Sequence, residues 1–285
     1  MLKRITVWLM AVCMMLLFCF GTVGAEKLEV PQTSFPAYIY DYWGKTVPCP
    51  SPYAITKKVS GIDIGTGDWK NPNDIFSGAD GTVYIAVSGN DAADNRIEKL
   101  DSNLNLIDTF YGYTDKNGAN IPFTKPQGIF VLDNGEIYLA DSISKNIIHM
   151  TSECRLIRII PPPTREDNAI IDDEFTAKYA PSKLVVDYLG GIHVVASHTN
   201  EGIVEFDSDG KFTGFLAAGK VNADPIQIIW RKISTKEQLE RMNDFVPIEY
   251  NNISLDKSNF IFATSAAIDS SIVFIFQHSG GCEAA

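Results

Sequence analysis

The chain has 285 residues, of which 45% are hydrophobic and 21% are charged, a balance typical of a folded globular protein. This length allows one large all-β domain or two ordinary domains. The net charge of −11 and the scattered positions of the 24 Lys and Arg residues argue against a nucleic-acid binder, because phosphate binding needs clustered basic side chains.

Residues 1–25 have the features of a secretory signal peptide. Basic Lys3 and Arg4 precede an uncharged apolar run over residues 5–20, and small residues follow as far as Ala25. This pattern predicts cleavage after Ala25 and a secreted or otherwise extracytoplasmic protein. The alternative is a protein anchored in the membrane by uncleaved residues 5–20, a run slightly shorter than a full span.

Residues 26–70 form an N-terminal segment ahead of the repeated part of the chain. Four aromatic residues cluster in it: Tyr38, Tyr40, Tyr42 and Trp43. We expect them to be buried, whereas exposed Tyr42 and Trp43 would offer a stacking surface to a sugar or peptide partner. The apolar alternation over residues 53–65 predicts a strand that could complete the last repeat unit.

Residues 71–276 repeat one pattern four times: a short strand, a tight turn, a second strand running into Ala, Ser or Thr, and a third strand. Three of the turns contain dipeptides that tolerate positive φ: Asp80-Gly81, Asn134-Gly135 and Gly190-Gly191. We align the second strands at Tyr84, Tyr138, His193 and Ile261. Apolar residues alternate with period two, which predicts strands with one buried face.

Three of the four copies continue into a fourth strand, and such four-stranded units bury their faces by stacking radially. The predicted fold is therefore an all-β propeller of four-stranded antiparallel blades, with about four blades present. Ser234 as an N-cap and Glu237 as its capping-box partner predict one short helical insertion over residues 231–247. Residues 277–285 lack apolar alternation and are predicted to form an irregular tail.

The segment PQGIFVLDNGEIYLADS, from Pro126 to Ser142, resembles the NHL repeat, as do residues 95–110 and 202–215. The resemblance covers residues 71–276. Because NHL-repeat chains are usually six-bladed propellers, it implies that the four blades are part of a six-bladed ring. The alternative is a ring that closes at four blades. The same signals are shared with gluconolactonase-like and amidating-lyase propellers.

Hydrolase motifs are absent from the sequence. There is no GxSxG segment, no HExxH spacing among the four His residues, and no cysteine pattern typical of zinc or disulfide frameworks. His149 and His193 lie on predicted strands, where we expect them to pack in the core. The favoured function is a non-catalytic binding scaffold for a protein or carbohydrate, with no cofactor.

The alternative is a metal-dependent lactonase or lyase, since the segment NPND at residues 71–74 resembles a gluconolactonase segment. That resemblance implies a Ca²⁺ or Zn²⁺ ion in the central channel. At the equivalent starts of the inner strands, the four copies have Asn73-Asp74, Gln127, Ser182 and Asn251-Asn252. The candidate metal ligands are Asn73, Asp74 and Asn252, and the candidate ligand or partner surface comprises Gln127, Ser182, Tyr42 and Trp43. A single carboxylate predicts weak cation binding and supplies no second carboxylate as a base.

Overall fold

The computed structural model divides into two compact units, residues 1–58 and residues 59–285. In the part of the chain that it describes, no helix is long and apolar enough to cross a membrane. The predicted signal peptide, the helical insertion over residues 231–247 and residues 278–285 of the predicted tail lie outside that part. The described residues are 37–49, 56–169, 171–197, 202–216, 249–267 and 270–277.

The first unit contains a two-stranded hairpin of β1 (Ala37–Tyr40) and β2 (Thr46–Cys49). The Asp41 carboxylate holds its turn by accepting hydrogen bonds from the main-chain N–H groups of Trp43 and Lys45. Tyr42 is 92% exposed and Trp43 85% exposed, and Tyr38 and Tyr40 are exposed as well. The expected burial of this cluster is therefore wrong, because within the described part of this unit the two-stranded hairpin has no second layer that covers its faces.

The second unit is a β-propeller of four antiparallel sheets, which confirms the predicted fold class. Blade I comprises β3 (Asn71–Ser77), β4 (Val83–Ser88), β5 (Arg96–Leu100) and β6 (Leu106–Phe110). A small hairpin of β7 (Gly112–Thr114) and β8 (Asn120–Pro122) leads to blade II. Blade II comprises β9 (Pro126–Val131), β10 (Ile137–Asp141), β11 (Asn146–Met150) and β12 (Leu156–Ile160).

Blade III follows a short helix, α1 (Asp173–Lys178), that the sequence analysis did not predict. It comprises β13 (Ala180–Val186), β14 (Ile192–Ser197), β15 (Ile203–Phe206) and β16 (Phe212–Leu216). Blade IV comprises β17 (Tyr250–Leu255), β18 (Phe260–Ala267) and β19 (Ser270–Gln277). Gln277, the first residue of the predicted irregular tail, therefore ends a strand.

The second strands of blades I to III are buried on both faces rather than on one, because each blade lies between neighbouring layers. Every residue of β10 is buried, and β4 and β14 each have only one residue that is not. The prediction of strands with a single buried face is wrong for these elements. Their nearly continuous apolar sequences are typical of strands that are covered on both sides.

The long connections between blades fill the core instead of only covering a rim. Tyr113, in β7, and Phe123, directly after β8, are buried between blades I and II. Phe175 and Tyr179, from α1 and its end, are buried between blades II and III. Asp172 caps α1 by accepting a hydrogen bond from the Phe175 N–H, and this cap fixes where the helix begins.

The face of blade I that points away from blade II is covered by the segment before β3. Ile64 and Trp69 pack there, against a cluster that includes Val87 and Leu100. Residues 56–70 contain no strand, so the predicted ring-completing strand over residues 53–65 is wrong for its described part. Among the described residues, no core cluster joins blade IV to blade I, and the six-bladed ring stays a prediction.

The sequence alignment of blade IV is wrong by one residue. Asn259, with a φ of 65°, occupies the turn position that Gly135 occupies in blade II. In both turns the main-chain N–H of this residue donates a hydrogen bond to the carbonyl three residues earlier. Phe262, not Ile261, is therefore the equivalent of Tyr138. Ile261 packs between blades III and IV, as a one-residue shift requires, since neighbouring strand residues point to opposite faces.

Candidate ligand-binding channel

Each inner strand of the propeller has a β-bulge near its start, at the same place in all four blades. The strand pairing skips one residue at each of these positions: Asn73, Gln127, Ser182 and Asn251. These are the positions that the sequence analysis treated as equivalent, and the structure confirms their equivalence. A bulge bends its strand and re-aims the side chains beside it.

Three of the bulge residues form side-chain hydrogen bonds that link neighbouring strands. Asn73 Nδ2 donates to Ser88 Oγ at 2.7 Å and to the Pro126 carbonyl at 2.6 Å, which links blade I to blade II. Ser182 Oγ donates to the Val195 carbonyl at 2.9 Å within blade III. In blade IV, Asn251 Oδ1 accepts from the Thr264 hydroxyl.

The residues that follow the bulges form one level of the channel wall: Asp74, Gly128, Lys183 and Asn252. At this level the Nζ of Lys183 lies 2.7 Å from Oδ1 of Asp74, so blades I and III are joined by an ion pair. Lys183 Nζ also donates to the Asn73 carbonyl at 2.5 Å. Asp74 Oδ2 accepts from the Ile129 N–H at 2.9 Å, which adds blade II to the contact.

Gly128 makes this approach of blade III possible. A Cβ atom at residue 128 would lie 2.5 Å from the Ser182 carbonyl oxygen and 2.9 Å from the Lys183 Cα, closer than real contacts allow. The absence of a side chain therefore lets β13 pass close to β9. The glycine thus helps to place the Lys183 ammonium within reach of the Asp74 carboxylate.

Two adjoining cavities lie along this channel. The inner cavity, of about 220 Å³, is lined by all four inner strands and includes Asp74, Lys183 and Asn252. The outer cavity, of about 640 Å³, is lined at its rim by the turns between first and second strands. The two cavities share three apolar lining residues: Phe76, Phe130 and Leu255. A polar inner end therefore adjoins an apolar outer chamber.

The structure separates the predicted site residues into three groups. Asp74 and Asn252 line the inner cavity together, with the Asn252 side chain carbonyl accepting from its neighbour Ile253 N–H. The bulge residues Asn73, Gln127 and Ser182 lie next to this level in blades I, II and III. The third group, Tyr42 and Trp43, belongs to the separate hairpin unit, where their rings meet edge to face at 5.0 Å.

Lys183 is the channel residue that the sequence analysis missed. It follows Ser182 as Asp74 follows Asn73 and as Asn252 follows Asn251, so the alignment already contained the signal. A bulge changes which neighbouring residue faces the channel, and the strand pattern alone does not show on which side of the bulge the alternation resumes.

The donor set at this level does not fit a divalent cation. Asp74 is the only carboxylate among the described lining residues of the inner cavity, and it already contacts an ammonium and an N–H donor. A Ca²⁺ ion takes six to eight oxygen ligands, and Zn²⁺ prefers nitrogen and sulfur ligands around one open position. Among the described residues, no group of three or more His, Cys, Asp or Glu side chains is arranged so that it could hold a metal ion.

Two buried histidines occupy the blade cores, as predicted, but in different protonation environments. His193 Nε2 lies 3.1 Å from Asp187 Oδ2, and its Nδ1 lies 3.1 Å from Glu205 Oε1. Burial alone would lower the pKa of His193, but the two carboxylates outweigh burial and raise it.

His149 shows the opposite balance in blade II. Its Nε2 lies 2.7 Å from Glu136 Oε2, and its ring stacks on Tyr138 with the centroids 3.9 Å apart. Burial lowers the pKa of His149, and the single half-buried carboxylate of Glu136 only partly offsets that effect. The pKa of His149 is thus lowered where that of His193 is raised.

Asp141, in the Ala-Asp-Ser part of the repeat, fixes the blade instead of facing the channel. Its carboxylate accepts hydrogen bonds from the main-chain N–H groups of Thr124, Lys125 and Ser144, and from the Thr124 hydroxyl. These bonds hold the connection entering blade II against the turn that leaves β10. Asp141 thus locks the hairpin of blade II.

No family model and no curated protein matches the chain. Among solved structures, it is similar to a protein assigned as a gluconolactonase, at 12% identity and a TM-score of 0.47 over 84% of this chain and 72% of that one. It is also similar to virginiamycin B lyase from Staphylococcus aureus, at 13% identity and a TM-score of 0.40 over 84% of this chain and 62% of that one.

A third similar structure is the extracellular domain of a hybrid two-component system from B. thetaiotaomicron. It has 11% sequence identity to this chain and a TM-score of 0.43, over 73% of this chain and 23% of that one. The chain therefore spans less than two thirds of this domain and of the lyase. The NHL resemblance remains a prediction from sequence.

Proposed function

We propose that this chain is an extracytoplasmic binding propeller, not an enzyme, and that it holds a protein or carbohydrate ligand at the mouth of its channel. The observation that carries this proposal is the ion pair between Asp74 and Lys183. A lactonase of the predicted kind needs channel carboxylates that are free to hold a metal ion or to accept a proton. The pair leaves no such group at this level among the described residues.

The mouth of the outer cavity has the composition of a binding surface. Tyr188 is 77% exposed and Leu189 57% exposed on the turn of blade III, beside the polar rim residues Asp133 and Lys257. The Tyr188 N–H donates to Asn259 Oδ1 of blade IV, which fixes the turn across two blades. Exposed aromatic side chains next to hydrogen-bonding groups are typical of protein and carbohydrate interfaces.

Thermal unfolding in the presence of metals tests this proposal against the lactonase alternative. We expect millimolar Ca²⁺, Mn²⁺ or Zn²⁺ to leave the Tm unchanged, because a ligand that binds the folded state would raise it. We also expect no gluconolactone hydrolysis above buffer. A metal-dependent rise in Tm, together with a hydrolysis rate that Asp74→Asn abolishes, would replace the proposal with the enzyme.

Binding at the mouth is tested with an array of glycans and a panel of extracellular proteins. We expect at least one ligand to bind the wild type and to lose about tenfold in affinity with Tyr188→Ser, since buried aromatic contacts dominate such interfaces. The matched control is Tyr111→Ser, at an exposed tyrosine in the connection between blades I and II. Equal losses for both variants would contradict a mouth site.

The extracytoplasmic location is proposed from the N-terminal 25 residues. Expression of the full chain in a secreting host, followed by N-terminal sequencing, tests it directly. We expect the product to begin at Glu26 and to appear outside the cytoplasm. An intact Met1 in a cytoplasmic fraction contradicts this location.

A further inference from the structure

The polar end of the channel carries no net charge. Asp74 and Lys183 cancel each other, and their side chains are 19% and 18% exposed toward the inner cavity. A ligand with a net charge would bring one unmatched charge into a half-buried space, which is unfavourable. The channel level therefore selects a ligand whose own charges also sum to zero.

This ion pair retains hydrogen-bonding capacity on the cavity side. The Lys183 ammonium has three N–H donors, and its acceptors among the described residues are the Asp74 carboxylate and the Asn73 carbonyl. Each Asp74 oxygen has one protein donor and keeps further lone pairs. A ligand can therefore add one negative and one positive group without breaking the existing contacts.

The adjoining outer chamber selects an apolar group over a polyol. Phe76, Phe130 and Leu255 lie where the two cavities meet. Hydroxyl groups placed against these side chains would lose their water without gaining a partner, whereas an apolar group gains about 25 cal/mol per Å² buried. A sugar is thus disfavoured at this depth of the channel.

We propose that the channel binds a free α-amino acid with a large apolar side chain, in its zwitterionic form. The ligand carboxylate lies beside Lys183, its ammonium beside Asp74, and its side chain against Phe76 and Phe130. Asn252, on the same level, donates a further hydrogen bond to the carboxylate. This inference rests on the proposed function of a binding propeller and names a small-molecule ligand for the same channel.

Calorimetry of the full chain with L-phenylalanine and three analogues tests the ligand class. N-acetyl-L-phenylalanine lacks the ammonium, L-phenylalaninamide lacks the carboxylate, and L-alanine lacks the large side chain. Because a hydrogen bond to a charged group contributes about 1.5–3 kcal/mol, each charge deletion lowers the affinity roughly 10- to 100-fold. L-Alanine binds weaker by a similar factor, since it buries far less apolar surface.

Variants of the pair assign each ligand charge to one residue. Asp74→Asn weakens binding of L-phenylalanine but not of N-acetyl-L-phenylalanine, and Lys183→Met weakens binding of L-phenylalanine but not of L-phenylalaninamide. A purely structural role would lower the affinity for all ligands equally. Lys211→Met, at an exposed lysine outside the channel lining, is the matched control and leaves binding unchanged.

A cavity-filling variant keeps the test valid if a charge variant fails to fold. Asn252 is exposed and its side chain accepts a hydrogen bond from its own neighbour Ile253, so Asn252→Phe is expected to fold and to abolish amino-acid binding. Retained L-phenylalanine binding in this folded variant would overturn the site.

The remaining outcomes separate this inference from the proposed function. No L-phenylalanine binding by the folded wild type, equal affinity for all four ligands, or glucose binding that depends on Lys183 would overturn the zwitterion site. If a glycan or protein still binds at the mouth in a Tyr188-dependent manner, the proposed function stands without it. If neither binds, both are wrong.

Discussion

Two ionic groups that include residues of blade I differ in how completely the protein satisfies their hydrogen-bonding capacity. Arg96 and Glu98 form a buried pair, with Nε and Oε1 2.7 Å apart and side-chain exposures of 3% and 0%. Glu98 also accepts from the Trp69 indole at 2.7 Å, and Arg96 donates to three carbonyls, among them that of Gly67. This group is closed, because protein atoms take up nearly all of its hydrogen-bonding capacity.

The pair of Asp74 and Lys183 is open by comparison. It has the same kind of short contact, but it faces a cavity and keeps donor and acceptor capacity on that side. A fully buried ionic group whose hydrogen bonds are all made within the protein stabilises structure, and this one attaches residues 59–70 to blade I. Partial exposure beside a cavity marks one that can take a ligand.

Breaking the closed group should have the largest effect on stability. Glu98→Gln keeps the shape but leaves the Arg96 charge buried without a carboxylate, which destabilises by about 3–5 kcal/mol. Urea unfolding measures the change. The matched control is Glu166→Gln, at an exposed carboxylate, with an expected change within about 0.5 kcal/mol. Similar values for the two variants would contradict the closed group.

A smaller loss is expected from the tie between blades I and II. Asn73→Ala removes the donor for the buried Ser88 hydroxyl and the Pro126 carbonyl, which destabilises by about 1–3 kcal/mol. Asn90→Ala, at an exposed asparagine of the same blade, is the control. An unchanged free energy of unfolding in Asn73→Ala would show that the Asn73 amide does not link blades I and II through these hydrogen bonds.

The open pair should contribute less to stability than the closed group. Lys183→Met leaves Asp74 with the Ile129 N–H and access to the cavity, so we expect a loss of about 1–2 kcal/mol by urea unfolding, below that of Glu98→Gln. Lys183→Met should thus combine a modest stability change with a large loss of ligand binding. A loss as large as that of Glu98→Gln would make the channel pair structural.

The smallest effects are expected from the two histidines, whose pH dependences oppose each other. Because the folded-state pKa of His193 is raised, its stabilisation is complete below about pH 6.5 and is lost as the pH rises through that raised pKa. His193→Gln should therefore flatten the decline of stability above about pH 6.5. Unfolding midpoints measured between pH 5 and 9 check this slope, which cannot exceed about 1.4 kcal/mol per pH unit for one proton.

His149 gives the reverse sign. Its folded-state pKa is lowered, so the associated stability is present above about pH 6.5 and is lost as the pH falls. His149→Gln should flatten the acidic side of the same curve and leave the alkaline side unchanged. A variant that altered both sides equally would show that the pKa values of the two imidazoles are not shifted in opposite directions.

The sequence predicted the blades well where turn chemistry was strong and less well where it was weak. Asp80-Gly81 and Asn134-Gly135 fixed their hairpins, because these dipeptides suit tight turns with positive φ. Asn259 takes the same role alone in blade IV, and the alignment there slipped by one residue, from Phe262 to Ile261. The prediction that the aromatic hairpin is buried was also wrong, since clustering of aromatic residues along the chain does not show whether another layer covers them.

The candidate site could be located from the sequence but not understood from it. The equivalence of Asn73, Gln127, Ser182 and Asn251 followed from the repeat, yet the bulges at these positions decide which neighbour faces the channel. Lys183 places an ion pair at the level where the alternative prediction put the candidate metal ligands. Its approach to Asp74 depends on the missing side chain at Gly128, a contact between blades that no local pattern encodes.

Nuclear magnetic resonance of the Lys183 ammonium tests the central claim most directly. Its ¹⁵Nζ signal is assigned by its absence in Lys183→Met, and spectra are compared for the free protein, with L-phenylalanine, and with Ca²⁺ or Zn²⁺. The account predicts that L-phenylalanine shifts this signal and that neither metal does. A signal that moves with a metal ion, or stays fixed while L-phenylalanine binds, would contradict the channel as a zwitterion site.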